Sequence, residues 1–449
     1  MFRILNNNDF ITLILIVILC INSYANASIK FSDRIEEYYL DNGLKVILLE
    51  DKRGPAVVSS TWYKVGSSYE YEGITGISHL LEHMMFKGTT KYKPGEFSRI
   101  IKNLGGSENA FTGRDFTGYY QKVHKDHLEE CIKMESDRMV NLLLKPNELK
   151  TELEVVKEER RLRTEDNPIA LAFEEILLQS FGYNGYGIPI VGTNHDLNKL
   201  TVSDVQSWYQ RFYTPKNAIL IIAGNFDRQK TKHWIEKYYS AITKVSENHQ
   251  IKPTRHKIDY NTIHKYSRVS ETTILMSFLN PKYSKENKME HYALDLLLEL
   301  MDGGYSSRFT KSIIDEKKLA LETFISYESY PKENNIITLG GILRDGTKPE
   351  ILQDAILDEF NKLINDGISD EELVQIKSRL IAENIYKFDS LFYQAMNIGT
   401  LETKNIEWNT IDQYLNDIDK ITKQDIIEVA KKYITSKKFI FTIIEPEKI

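Results

Sequence analysis

The chain has 449 residues, with 58 lysines and arginines against 64 aspartates and glutamates, and its formal net charge is −6. Because the basic residues are dispersed along the chain, we expect no nucleic-acid partner. With only two cysteines, Cys20 and Cys131, the fold must rest on a hydrophobic core. The length allows two to three ordinary domains or two larger ones.

Residues 1–27 are predicted to be a secretory signal peptide. The apolar run at 11–21 is shorter than the roughly 20 residues that span a membrane, and residues 25–27 form an A-x-A cleavage sequence. Cleavage leaves Cys131 as the remaining cysteine, and an exported chain without disulfides fits the bacterial periplasm. An uncleaved membrane anchor is the alternative, because Asp9 weakens the positive charge of the head.

The rest of the chain mixes strands and helices in an order that occurs twice. Apolar runs predict strands at 44–49, 57–65 and 272–279 and helices at 76–86, 147–163, 289–301 and 369–385. The last of these helices opens with a capping box formed by Ser369 and Glu372.

The two halves also end alike. Thr201 and Asp204 open a helix that leads into an apolar strand, and Thr422 and Asp425 do the same 221 positions later. Each T-x-x-D sequence is a helix N-cap, so the repeated order of cap, helix and strand indicates a duplication. The predicted fold is α+β, with two homologous domains that are each a mostly antiparallel sheet packed with helices.

The predicted helix at 76–86 carries an HxxEH sequence made by His79, Glu82 and His83. The two histidines stand at i and i+4, so they project from one face of the helix and can bind one Zn²⁺. A chance occurrence is the alternative. Against it, a helix facing a core has little reason to place two imidazoles and a carboxylate in its apolar stripe, because each needs a polar partner.

A zinc site needs a third protein ligand, and the acidic helix at 147–163 is the candidate. One of its stripes combines carboxylates with valines, and its opposite face is charged. The stripe is Glu152, Val155, Val156 and Glu159, and the opposite face is Glu154, Glu158 and Arg161. If the valines pack on the core, they carry Glu152 and Glu159 inward. Glu159 is preferred as the ligand with Glu152 behind it, and Glu158 is the rival.

Four segments resemble the pitrilysin and insulinase family of zinc metallopeptidases, nearest the subfamily that includes the mitochondrial processing peptidase. These segments are residues 79–89, 105–112, 152–163 and 217–224. The resemblance implies a Zn²⁺ ion held by His79, His83 and Glu159. It also implies that Glu82 takes a proton from the attacking water and that Glu152 is a further catalytic carboxylate.

The zinc ligands assign different roles to the two halves. The predicted boundaries are a zinc-bearing catalytic domain at 28–244, a linker at 245–266 and a second domain at 267–449 that lacks metal ligands. The linker is placed there because the stretch is polar and contains Pro253.

Residues 108–112 follow a Gly-Gly turn and are predicted to form a strand. In the family this strand is an exposed edge to which an extended peptide adds as another strand. The resemblance therefore implies that Asn109, Ala110 and Phe111 bind substrate. A turn or capping role for Asn109 is the alternative.

One departure from the family concerns the wall opposite the metal. Ile314 and Leu321 stand where many members carry an Arg and a Tyr that hold the substrate carbonyl, and neither side chain can donate a hydrogen bond. We therefore expect a heterodimer whose homologous partner supplies the Arg and Tyr, with a homodimer as the alternative.

The predicted function is a zinc-dependent endopeptidase that cleaves extended or unfolded peptides. A non-catalytic binding or assembly protein of the same fold is the alternative, and a protein that only sequesters zinc is a third possibility. His124 and His127 are expected on a solvated face, and Cys131 is expected in the core.

Overall fold

The computed structural model describes residues 31–244, 258–434 and 438–447. The predicted signal peptide, residues 1–27, lies outside these ranges. Among the helices that are described, none is both long and apolar enough to cross a membrane.

Two sheets form the centre of the molecule. The first contains β1 Ile35–Tyr39, β2 Lys45–Glu50, β3 Ala56–Tyr63, β4 Ser107–Thr112, β5 Thr117–His124 and β6 Ala218–Gly224, and the second contains β7 Thr262–Ser267, β8 Thr273–Asn280, β9 Ala320–Ser326, β10 Asn335–Leu343 and β11 Ile440–Pro446. The strand orders are β1-β2-β6-β3-β5-β4 and β7-β11-β8-β10-β9. Without β1, the first order matches the second strand for strand. In both sheets one pair is parallel, β2 with β6 and β7 with β11, and the other pairs are antiparallel. The predicted α+β fold with two homologous domains is confirmed.

Helices follow the strands in a similar order in both halves, except that the last helix of the first half has no counterpart after β11 among the described residues. Those of the first half are α1 Ile77–Met84, α2 Glu96–Asn103, α3 Leu128–Asn141, α4 Pro146–Arg160, α5 Pro168–Phe181, α6 Asn194–Leu197, α7 Val202–Phe212 and α8 Arg228–Tyr239. Those of the second half are α9 Lys288–Asp302, α10 Pro349–Asp366, α11 Asp370–Asp389, α12 Leu391–Thr403, α13 Thr410–Ile418 and α14 Lys423–Tyr433. Two π-helical segments, Arg161–Glu165 and Thr310–Glu316, lie between these elements.

The predicted helix caps are present where the sequence placed them. Thr201 with Asp204 and Thr422 with Asp425 each form a reciprocal capping box, at the starts of α7 and α14. Ser369 caps α11 in the same way. Side-chain oxygens thus accept hydrogen bonds from backbone N–H groups that have no partner inside the helix, which fixes where each helix begins.

The predicted linker at 245–266 overlaps a strand of the second sheet. Residues 262–266 belong to β7, which is the edge strand beside β11 and the counterpart of β2. Side chains along β7 alternate between exposed and half-buried, and none is buried, so this strand carries few of the apolar residues by which strands are recognised. Residues 245–257 of the predicted linker lie outside the described ranges.

In each half, one helix packs on the sheet of the other half. Helix α5 packs on β11, where Ala172 and Ile176 join a cluster with Ile440 and Ile444. Helix α12 packs on β3 and β6, on the sheet face turned away from α1. Because each sheet buries one face under a helix of the other half, the two halves share their cores.

Gly399 of α12 lies at a close contact between the halves. A Cβ atom at this position would overlap the indole ring of Trp62 on β3, and Trp62 is itself fully buried. Only a residue without a side chain lets the helix backbone lie this close to the sheet.

We predict that Gly399→Ala lowers the denaturant midpoint of unfolding. Alanine favours a helix interior over glycine by about 1 kcal/mol. Overpacking a filled core costs about 1–3 kcal/mol, and here the neighbour is a rigid ring, so the clash should outweigh the helical gain. Gly54→Ala is the control because its Cβ would meet open space. A midpoint raised by Gly399→Ala would show that the two halves approach less closely.

Candidate metal centre

Helix α1 is held at its N-terminus by a buried carboxylate. Glu70 accepts hydrogen bonds from the backbone N–H groups of Gly76 and Ser78, at 2.6 and 2.8 Å. Gly76 has a φ of 85°, a left-handed conformation that favours glycine at this turn. In the same turn the Trp208 indole donates to the Ser78 hydroxyl at 3.1 Å. These contacts fix the position and rotation of the helix that carries the histidines.

The structure brings the three predicted metal ligands together. The Nε2 atom of His79 lies 3.5 Å from Oε1 of Glu159, and the Nε2 atom of His83 lies 3.3 Å from Oε2 of the same carboxylate. One possible ligand atom from each residue falls within a group whose members are all within 4.8 Å of one another. Within residues 31–244, 258–434 and 438–447, no second group of three such side chains converges in this way.

Glu152 lies behind His83, on the side away from Glu159. Its Oε2 atom is 3.2 Å from Nδ1 of His83, and its Oε1 atom is 2.6 Å from Nζ of Lys87. Glu152 is buried, with 6% of its surface exposed. It therefore contacts a histidine rather than the predicted metal position, which is the arrangement of a carboxylate that orients a ligand.

The core-facing stripe of α4 is narrower than the sequence predicted. Val156 is fully buried, but 45% of Val155 is exposed, so the expectation that both valines pack on the core was wrong for Val155. The stripe that faces inward is Glu152, Val156 and Glu159. The rival ligand Glu158 is exposed and forms an ion pair with Arg161 at 2.6 Å, away from both histidines.

Glu82 projects from α1 toward the edge strand β4. Its Oε2 atom accepts a hydrogen bond from the Thr112 hydroxyl at 2.5 Å. The sequence reasoning missed Thr112, although it is the last residue of the strand predicted at 108–112. Together these two residues join the metal-binding helix to the strand beside the cleft.

Strand β4 lies at the edge of the first sheet, and no strand of the described residues pairs with its outer side. The Ala110 side chain packs on the core beneath α1, whereas the Phe111 ring lies on the opposite face, 5.0 Å from the Trp62 ring. Asn109 is exposed, and its Oδ1 atom accepts a hydrogen bond from the backbone N–H of Ala110 at 2.9 Å. Of these predicted substrate-binding residues, Phe111 can reach the cleft only through its backbone.

The two ion-pair partners of the histidines shift the ionisation equilibria at the site. Hydrogen bonds to His79 and His83 hold the pKa of the Glu159 carboxyl well below its usual range. Burial alone would lower the pKa of His83, but its hydrogen bond to Glu159, the charge of Glu82 and the hydrogen bond to Glu152 outweigh burial and raise that pKa. The imidazole and the carboxylates thus stabilise each other's charged forms.

The donor set fits Zn²⁺. Two imidazole nitrogens and one carboxylate oxygen are the ligands of a catalytic zinc site, which keeps a further position for water or substrate. Arg163, four residues after Glu159, places Nη1 at 2.6 Å from Oε1 of this carboxylate. The Nδ1 atom of His79 is buried and has no hydrogen-bond partner among the described residues. His83 is therefore the better oriented of the two imidazoles.

The cleft beside these ligands is lined by residues that all lie between 79 and 191, in the first half. Ile314 lies in a π-helical segment, and Leu321 lies on β9 with half of its surface exposed. Neither belongs to the residues that line the cleft in the described part of the chain.

The corresponding helices of the second half meet through an ion pair. Arg379 of α11 contacts the carboxylate of Glu299 on α9 and also donates to its backbone carbonyl at 3.0 Å.

The other cysteine and histidines considered in the sequence lie away from this site. Cys131 is buried in the first core, and burial raises the pKa of its thiol. His124 and His127 flank a short exposed turn after β5.

Comparisons with known proteins point in one direction. Residues 45–194 match the family model described as insulinase (peptidase family M16), and residues 199–380 match the one described as peptidase M16 inactive domain. The chain is 29% identical over 422 residues to the zinc protease PqqE of Helicobacter pylori, covering 92% of this chain and 93% of that protein. It is 26% identical over 412 residues to the uncharacterized zinc protease YmxG of Bacillus subtilis, covering 92% and 98%. The crystal structure of a protease from Helicobacter pylori aligns with a TM-score of 0.85 and 27% identity, covering 92% of this chain and 99% of that one.

We predict that zinc affinity decreases as the pH is lowered. The midpoint of this decrease should lie above the ordinary imidazole pKa of about 6.5. A proton on Nε2 of His83 must leave before a metal can bind, so affinity is full above the raised pKa and is lost as pH falls through it. Glu152→Gln keeps the three ligands but removes one cause of the rise, so its midpoint should move to lower pH. Competition with a chromogenic chelator measures both curves, and a wild-type midpoint below 6.5 would contradict the expectation.

Proposed function

Because the chain belongs to the insulinase (M16) family of peptidases, we propose that it is a zinc-dependent endopeptidase. The observation that carries the proposal is the convergence of His79, His83 and Glu159, with Glu82 beside them on the same cleft. Two of its relatives are also named as zinc proteases.

The proposed reaction is hydrolysis of a peptide bond. His79, His83 and Glu159 would hold the zinc ion, which when bound would supply a Lewis acid that lowers the pKa of water and polarises the substrate carbonyl. Glu82 accepts the proton as the water oxygen attacks the carbonyl carbon, and it returns a proton to the amine nitrogen as the C–N bond breaks. The Thr112 hydroxyl occupies one oxygen of Glu82 and leaves the other to face the water.

The proposed substrates are extended peptides, which add to the free edge of β4. In an antiparallel pair every second residue directs its backbone groups away from the neighbouring strand. The N–H of Ala110 has this outward direction, since it donates to the Asn109 side chain rather than to β5, and an added peptide would replace that side chain as the acceptor. Recognition through backbone groups gives affinity that depends little on the substrate sequence. Only an unfolded segment of the substrate can reach the backbone groups of this edge.

We predict that Glu82→Gln lowers the peptide cleavage rate by about 10²–10⁴-fold, the usual contribution of a general base. Zinc content should stay at the wild-type level because Glu82 is not among the proposed ligands. Glu158→Gln is the matched control, since Glu158 is exposed and paired with Arg161. Equal cleavage by Glu82→Gln and wild type would rule out the proposed base. A wild-type protein that binds zinc but cleaves nothing, even with its partner, would instead be a binding or assembly protein or one that only sequesters zinc.

We further propose that this chain is the zinc-bearing subunit of a heterodimer that is exported to the periplasm. The heterodimer proposal rests on two observations. The described cleft is lined by residues of one half of the chain, and Ile314 and Leu321 cannot donate a hydrogen bond to a substrate carbonyl. Export rests on the A-x-A sequence at residues 25–27.

We predict that the chain purified alone cleaves a quenched fluorescent peptide about 10²–10³-fold more slowly than it does with a homologous chain that carries the Arg and Tyr. That factor is what the loss of one oxyanion donor costs in other hydrolases. Adding the partner to the Glu82→Gln chain is the control and should restore nothing. Full activity from a homogeneous single-chain preparation would contradict the heterodimer proposal.

A further inference from the structure

A lysine stands behind the histidine that is the better oriented of the proposed ligands. Lys87 lies four residues after His83, just beyond the end of α1, and its Nζ atom is 2.6 Å from Oε1 of Glu152. The other oxygen of that carboxylate is 3.2 Å from Nδ1 of His83. Lysine, carboxylate and imidazole thus form one chain of contacts that ends at the proposed metal ligand atom Nε2.

The backbone fixes the position of Lys87. Its N–H donates to the carbonyl of Met84 at 3.0 Å, which continues the helical turn past the end of α1. The next residue, Gly88, has a φ of 96°, and a Cβ there would lie 2.7 Å from the carbonyl oxygen of Tyr92. A turn that only glycine can make therefore holds the lysine beneath the metal-binding helix.

Burial explains why Glu152 needs a second partner. Its carboxylate is buried. A buried carboxylate with one oxygen that lacks a hydrogen-bond donor is energetically costly, or its side chain reorients toward another donor. With Lys87 on Oε1, the carboxylate plane is fixed and Oε2 faces Nδ1 of His83. An acceptor at Nδ1 keeps the proton on that nitrogen and leaves the lone pair of Nε2 for a metal.

We propose that Lys87 is a positioning residue for zinc binding, acting through Glu152 on the tautomer and orientation of His83. The inference rests on the proposed zinc site, but it concerns affinity for the metal and not cleavage. Simple electrostatics predicts the opposite sign, because removing a positive charge near a dication should tighten zinc binding. The direction of the change therefore separates positioning from charge.

The test measures zinc affinity by competition with a chromogenic chelator for the full chain and its variants. Lys87→Met keeps most of the side-chain stem and should weaken zinc binding about 10–100-fold, the usual effect of losing a partner behind a ligand. Lys87→Arg should restore affinity to within about threefold, since a guanidinium can donate to the same oxygen. In a Glu152→Gln background, Lys87→Met should cause no further loss.

The matched control is Lys91→Met, which removes a cation from the same segment. Lys91 pairs with the buried Asp137 at 2.9 Å, without contact to the histidines, so its loss should leave zinc affinity unchanged. Unchanged or tighter binding by Lys87→Met would overturn the inference, as would an equal loss in Lys91→Met or an additive loss in the double variant. Failure of the wild-type chain to bind zinc would be a different result, because it would contradict the proposed function itself.

Discussion

The burial of helix α1 is the constraint on which the site depends. Seven of its eight residues are buried, including His79 and Glu82. A polar group in such a position costs roughly 2–7 kcal/mol unless it meets a partner, so the helix determines what its neighbours must supply. Glu70 satisfies its first N–H groups, Thr112 satisfies Glu82, and Glu159 faces both imidazoles. The predicted metal site is thus also the way in which two helices and an edge strand of the first half are joined.

The two halves meet the same packing requirement with different chemistry. Helices α9 and α11 of the second half are joined by Glu299 and Arg379, whose charges satisfy each other. Two imidazoles and a carboxylate at the equivalent contact leave lone pairs that only protons or a cation can satisfy. The second half also contributes α12, which covers the outer face of the first sheet. Although its described residues form no metal-binding group, the second half therefore completes the core of the first.

Local patterns were sufficient for much of this architecture. The capping residues Thr201, Ser369 and Thr422 marked three helix starts because a cap is determined by residues within one turn. The edge strand β7 was missed because its side chains contact little, and Val155 was misplaced because a repeat of 3.6 residues does not define the width of a buried stripe. Within the site, spacing brought His79 and His83 together. The contact of Glu82 with Thr112 joins elements 30 residues apart, which no local pattern predicts.

The three carboxylates of the cleft differ in what their partners leave available. Both oxygens of Glu152 have a partner, Lys87 at one and His83 at the other, which is the arrangement of a carboxylate that orients an imidazole. Glu159 meets both imidazoles and Arg163, and its lowered pKa makes it a poor base but keeps it ionised as a ligand. Glu82 meets a neutral hydroxyl at one oxygen, which orients it without adding a positive charge and leaves the other oxygen for a proton. The roles proposed for these three glutamates, orienting a ligand, binding the metal and transferring a proton, therefore follow from whether a cation, an imidazole pair or a hydroxyl lies next to each of them.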